Sequence, residues 1–281
     1  SAAEQARAQA QAERVADDPR LQNDLVGCRA NPRSFLGPDI SADRCEEFLV
    51  PRVEDYLPRA TLDLRQAQGR GAALAVIVTS LLVIAGATFA GSDWSTGSMS
   101  NQLLFVPRRS TVWLAKALAV LLGGLLVAGV LVVGFWLSLL LVADARGIST
   151  PGDVLADVRW LAARSILLAA AGGLGGYALT MLMRSTVGTV AVLFAYVVGG
   201  EALIFALPVE RAGSWSLSNN VLAWLRDGTR VFDDSLGCAP SVDVCQQSYI
   251  LGLPHGALYL AGVLLLALLV SWLSFRSRDV R

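Results

Sequence analysis

The chain has 281 residues, 54% of them hydrophobic and only 16% charged, an apolar excess that is rare in a soluble domain of this length. Lysine plus arginine balances aspartate plus glutamate at 23 each, so the net charge of zero offers no global attraction to nucleic acid. One histidine and four cysteines leave little material for metal sites or histidine-based nucleophilic chemistry.

In chain order, residues 1–20 are rich in Ala, Gln, Glu and Arg, which predicts an exposed helix. Residues 21–59 carry Cys28, Cys45 and the prolines Pro32, Pro38, Pro51 and Pro58, the composition of a loop region. Helix is expected again over 61–68, leading into the first of five charge-free segments. These are 71–92, 117–143, 165–183, 185–200 (continuing past Glu201 to 209) and 256–275. A hydrocarbon core about 30 Å thick takes roughly 20 apolar residues of helix, and only helices or closed barrels satisfy their own backbone in lipid. The expected fold class is therefore an all-α membrane protein with five transmembrane helices.

Two of these spans carry local signals. The third contains Ala169-Ala-Ala-Gly-Gly-Leu-Gly-Gly176, small residues that let helix backbones approach closely. No strand precedes this run and no lysine follows it, so a phosphate loop is excluded in favour of packing. The fourth is weakened at Gly199, Gly200 and Pro208, and carries the one intramembrane charge, Glu201. An acid at the centre of a span costs roughly 2.5–3.5 kcal/mol, less toward its end. Both an ion pair with Arg164 at similar depth and a substrate or gate role are open to Glu201. Residues 153–160, after Pro151, read as a short interfacial helix. Residues 216–226, with Val221, Leu222, Trp224 and Leu225, read as an amphipathic one. Trp113, Trp160, Trp224, Tyr259 and Trp272 stand near span ends, as interface belts require.

Loop charges orient the spans. One side holds seven cations in short connectors: Arg108, Arg109, Lys116, Arg184, Arg276, Arg278 and Arg281. The two loops of the other side hold six over more than twice the length: Arg146, Arg159, Arg164, Arg211, Arg226 and Arg230. The positive-inside rule places the first side, with the C-terminus, in the cytoplasm and residues 1–70 outside a plasma membrane. All four cysteines then fall outside, where disulfides persist, and Cys28–Cys45 and Cys238–Cys245 are the expected local pairs. An external N-terminal region also predicts one further span before Ser1, six in the full protein. The division expected is an external disulfide-containing region over 1–70 and a transmembrane domain over 71–281, with loops at 91–116 and 208–255.

The cytoplasmic loop 91–116 is the most informative stretch. Asp93 is placed to cap a short helix, Gly97 to allow tight packing, and Leu103, Leu104 and Phe105 to form an apolar face. Pro107 stops the helix, and Arg108 and Arg109 fall where lipid phosphates or an acidic partner would lie. Such an element can pass motion from a cytoplasmic protein to the spans.

Gly91, Asp93, Trp94, Gly97, Ser98, Leu103, Leu104, Pro107, Arg109 and Lys116 resemble the signature of type-2 ABC exporter permeases. Asp93 stands where Glu is more usual and Ser98 where Thr is. The resemblance implies a coupling helix at about 93–105 that docks on an ATP-binding cassette subunit and a second permease copy. It also implies a re-entrant segment near 210–250. ATP and Mg would be bound by the partner, since no Gly-x-x-x-x-Gly-Lys-Ser/Thr occurs in this chain. The lone His255 lacks ligand partners at metal spacing, so no metal or cofactor is expected here. Apolar spans fit an amphipathic or lipid-like cargo. Two other readings are a structural subunit of a larger complex and a lipid-acting membrane enzyme. The latter needs clustered His or acidic residues at span ends, where the sequence offers Glu201 alone.

Overall fold

The computed structural model describes residues 2–30, 45–56, 64–106, 108–148, 150–206, 209–233 and 248–277. The chain divides into two compact units, 1–61 and 62–281.

The first unit is helical where a loop was expected. Helix α1 (Ala2–Ala16) is followed by α2 (Pro19–Ala30) and two short helices, α3 (Cys45–Leu49) and α4 (Val53–Tyr56). Asp18 accepts from the Arg20 backbone N–H at 2.8 Å, and Pro19 occupies the first helical position, where its missing N–H costs nothing. That punctuation starts α2 at a place where composition alone suggests irregular chain. Ala8 and Ala12 of α1 are buried, so the helix is not exposed all round. Cys28 and Cys45 lie at disulfide distance, 2.07 Å between sulfurs, and tie α2 to α3.

The second unit is a helical membrane domain. Among the described residues, five helices are long and apolar enough to cross a bilayer: Ala67–Ser95, Arg109–Ala145, Gly152–Met183, Thr186–Ala206 and Leu253–Ser277. They belong to α5 (Leu64–Ser95), α7 (Arg109–Ala145), α8 (Gly152–Met183), α9 (Thr186–Ala206) and α11 (Leu253–Ser277). Helix α6 (Ser98–Phe105) joins α5 to α7, and α10 (Leu217–Arg226) precedes a small sheet of β1 (Thr229–Phe232) and β2 (Ser248–Leu251). The 37 residues of α7 make about 55 Å of helix, well beyond the hydrocarbon thickness. The interfacial helix expected over 153–160 is simply the first turns of α8.

Helix α8 is central. Half of its apolar window is buried within the protein, against 6–28% for the other four spans. Lipid is as apolar as leucine, so burial of apolar surface cannot drive this association; close backbone approach and interhelical hydrogen bonds must. The glycine run meets the first condition. A Cβ on Gly176 would overlap the Val83 carbonyl oxygen, and one on Gly86 of α5 would overlap that of Gly173. Tyr177 Oη donates to Trp113 O at 2.9 Å, Trp113 Nε1 to Ser271 Oγ at 3.3 Å, and Thr180 Oγ1 to Thr189 Oγ1 at 2.9 Å. These link α8 to α7, α7 to α11 and α8 to α9, each bond worth about 0.6 kcal/mol on average in a membrane interior. Trp113 is thus a core residue and not a belt residue.

Helix α9 is interrupted. A π-helical turn at Tyr196–Gly200 separates the α-helical stretches Thr186–Ala195 and Glu201–Ala206, so the expected weakness at Gly199 and Gly200 takes the form of a bulge. Pro208 lies outside the described residues. The two-stranded antiparallel sheet, with Thr229 opposite Leu251 and Phe232 opposite Ser248, is not foreseen from sequence. It brackets residues 234–247, so the expected Cys238–Cys245 pair lies outside the described residues.

Candidate functional site: the α6 end of the bundle

Helix α5 does not stop at residue 93 but continues to Ser95. Gly97 then adopts a left-handed conformation, φ +69°, which a residue with a Cβ rarely takes. A Cβ there would meet nothing within 4 Å, so Gly97 serves the turn and not tight packing. Helix α6 begins at Ser98, five residues later than the expected coupling helix, with Gly97 and no side chain at its N-cap.

Asp93 therefore does not cap α6; it ties it down. Its Oδ1 accepts from Ser98 Oγ at 2.8 Å and Gln102 Nε2 at 3.4 Å, while Oδ2 pairs with Lys116 Nζ on α7. The two charged side chains are 14% and 13% exposed. One carboxylate thus joins the end of α5, the first half of α6 and the first turns of α7, using the only lysine in the chain. A charge-assisted bond in a half-dry setting is stronger than a surface ion pair.

Beneath α6 the spans converge. Met99 is buried with Ala90, Trp113, Tyr177, Met181 and Phe275, and Trp94 and Leu103 pack against them. The Trp94 ring meets Phe275 edge-on at 6.3 Å, and the Arg184 guanidinium lies 4.9 Å over the Trp94 ring. Arg184 is itself the left-handed residue, φ 55°, that ends α8, and Ser185 caps α9 by accepting from the Gly188 N–H. Gly91 touches Thr186 so closely that a Cβ would overlap its side chain. The other face of α6 is bare: Leu104 is 79% and Phe105 87% exposed, followed by exposed Val106. Of the expected apolar face, Leu103 points into the protein and Leu104 and Phe105 point away. Arg108 is the N-cap residue of α7, without a side-chain capping bond, and Arg109 is its first helical residue. Pro107 lies outside the described residues. Helix α6 is thus anchored on one face to α5, α7, α8 and α11, and presents two large apolar side chains on the other.

The second candidate group is at the opposite end. Glu201 does not pair with Arg164. Its carboxylate accepts from Ser216 Oγ at 2.6 Å, from Ser218 N and Oγ at 3.1 Å each, and from Tyr196 Oη at 3.4 Å. The first turn of α10, where orphan N–H groups and the helix dipole favour an anion, thus supplies most of its donors. Arg164 Nη2 instead lies 3.5 Å from Asp227 Oδ2, and its backbone carbonyl accepts from Trp224 Nε1 at 3.0 Å. The two residues, for which an ion pair is one of the two readings open from sequence, clamp the two ends of α10 separately. Nearby, burial pushes the Tyr249 phenol above its ordinary pKa; Asp233 adds to the shift and Arg211, 5.5 Å over the ring, opposes it.

Among the described residues, no three His, Cys, Asp or Glu side chains are grouped as a metal ion would need. No family model, no curated protein and no solved structure matches the chain.

Proposed function

We propose that this chain is the membrane-spanning permease subunit of an ATP-driven ABC exporter, with ATP and Mg bound and hydrolysed on a separate subunit. Helix α6 is the coupling helix in this reading. It faces the cytoplasm, as the loop cations require, and Leu104 and Phe105 enter a groove on the ATPase. Asp93 and Lys116 make α6 move as one body with the ends of α5 and α7. Arg108 and Arg109 stand at the level of the lipid phosphates. A second copy or a homologue completes the pathway, and an amphipathic or lipid-like cargo fits apolar spans. The N-terminal unit, with its disulfide, is then extracellular.

The observation that carries this is α6 itself: a short helix off the membrane spans, locked to them by a shielded ion pair, with two bare apolar side chains on its far face. Large exposed apolar groups on spans are covered by lipid, but on a connector they call for a protein partner. The residue match to the type-2 exporter signature points the same way. A photo-crosslinking amino acid at position 105 tests the reading in intact membranes. It is expected to trap a polypeptide carrying a Walker-type nucleotide-binding sequence, while the same probe at Leu122, on the lipid face of α7, traps none. Equal yields from both positions would defeat it.

A further inference from the structure

At the end of the bundle opposite α6, a cavity of about 370 Å³ opens between the start of α5, the first turns of α8 and the C-terminus of α10. Small-molecule sites run on the order of 300–1,000 Å³, so a polar headgroup fits it. Its walls carry two cations, Arg164 and Arg226, and two anions, Asp157 and Asp227, with Trp160 beside them. Arg164 is the key group. Its side chain is 15% exposed, and its one charged partner among the described residues, Asp227, is 3.5 Å away and itself largely in solvent. At that distance most of the guanidinium fork keeps its donor capacity for the cavity. The Trp224 bond to its backbone carbonyl holds this turn of α8 in place from the α10 side.

We infer that this cavity binds the phosphate–ammonium headgroup of a membrane phospholipid, with phosphate on Arg164 and Arg226 and the ammonium between Asp157 and the Trp160 ring. Charge balance selects that chemistry. The four charged walls among the described residues sum to zero, so a simple anion would be repelled by Asp157 and Asp227, and a simple cation by the arginines. A zwitterion is matched at both poles, by fork-shaped donors for phosphate and by a carboxylate plus an indole face for ammonium. Position selects a lipid over a free headgroup. Trp160 is exposed at the start of α8, the depth of an aromatic belt, and Leu167, nearly two turns further along α8, is exposed on the apolar stretch where an acyl chain would lie. The inference does not depend on the transport reading.

The test is native mass spectrometry of the full chain in a neutral detergent, offered phosphatidylethanolamine, phosphatidylglycerol or diacylglycerol. Phosphatidylethanolamine is expected to survive as an adduct about tenfold better than diacylglycerol, and Arg164→Gln to lower retention of both phospholipids about tenfold. Asp157→Asn is expected to lower phosphatidylethanolamine to the phosphatidylglycerol level and to leave the latter unreduced. Phosphatidylethanolamine held no better than diacylglycerol would overturn the site, as would undiminished retention by a folded Arg164→Gln. Should Arg164→Gln not fold, Trp160→Ala at an exposed ring carries the test: retention must fall, and unchanged retention overturns the proposal. Soluble glycerophosphoethanolamine should compete only in large excess; competition at equal concentration overturns the assignment to a lipid.

Discussion

Asp93 accepts from Ser98 and Gln102 on one oxygen and pairs with Lys116 on the other, so its removal would free the first half of α6 and strand a shielded ammonium. A double-mutant cycle with Asp93→Asn and Lys116→Met, followed by denaturation in detergent, is predicted to give a coupling of about 1–3 kcal/mol. Additive effects would mean that the pair is incidental. That Asp93 matters is legible from its place at a span end, but its role is not: the sequence suggests a cap, and the capping position falls to Gly97. Nothing local in the chain says that α5 runs two residues past Asp93. Glu201 teaches a similar lesson. An acid in a span calls for a partner, and Arg164 is the nearest cation in depth, yet two serines and the N-terminus of α10 satisfy it. Helix-capping serine is a readable signal at Ser216; that its hydroxyl would also donate to a carboxylate fifteen residues upstream is a tertiary fact. Glu201→Ala is predicted to leave the fold intact and to speed amide exchange across 217–226 about fivefold or more, the loss of one cap-like interaction of about 1 kcal/mol. Unchanged exchange would contradict the clamp.

At the scale of elements, the spans are legible because bilayer thickness imposes a length and a composition that a 281-residue sequence rarely satisfies by accident. The Gly172–Gly176 region is equally plain, and its partner is now α5. Gly176→Ala would drive a methyl into the Val83 carbonyl, and is predicted to destabilise the bundle by about 1–3 kcal/mol. Gly123→Ala on α7 has nothing within 4 Å and is predicted to be neutral or stabilising by up to about 1 kcal/mol. Thermal unfolding of the two variants side by side decides this; equal midpoints would mean that α5 and α8 do not meet through glycine. Short elements are where sequence reasoning fails. The strands Thr229–Phe232 and Ser248–Leu251 have four residues each, too few for alternation to stand out, though Thr229, Val231, Phe232, Tyr249 and Ile250 are strand formers. Helix α2 is missed because prolines and a cysteine on either side of residue 30 colour the whole window, while the Asp18–Pro19 start signal is the better guide.

For the whole molecule, the division of labour runs along α8. Its buried half gathers the spans, its far end carries Tyr177, Thr180 and Met181 under α6, and its near end carries Trp160 and Arg164 beside α10. A displacement of α6 therefore has a packed route through the bundle: Met99 and Trp94 bear on Phe275 and Tyr177, and these on α7, α8 and α11. Whether that route serves transport depends on one property, a partner ATPase that engages α6. The most direct measurement is ATP hydrolysis by the assembly purified through a tag on this chain. Wild type is predicted to bring down ATPase activity, and Phe105→Asp, at a side chain 87% exposed, to lose at least about tenfold of it, as a truncated interface hot spot does, with an unaltered melting temperature. No activity with wild type, or full activity with a folded Phe105→Asp, would contradict α6 as the coupling helix.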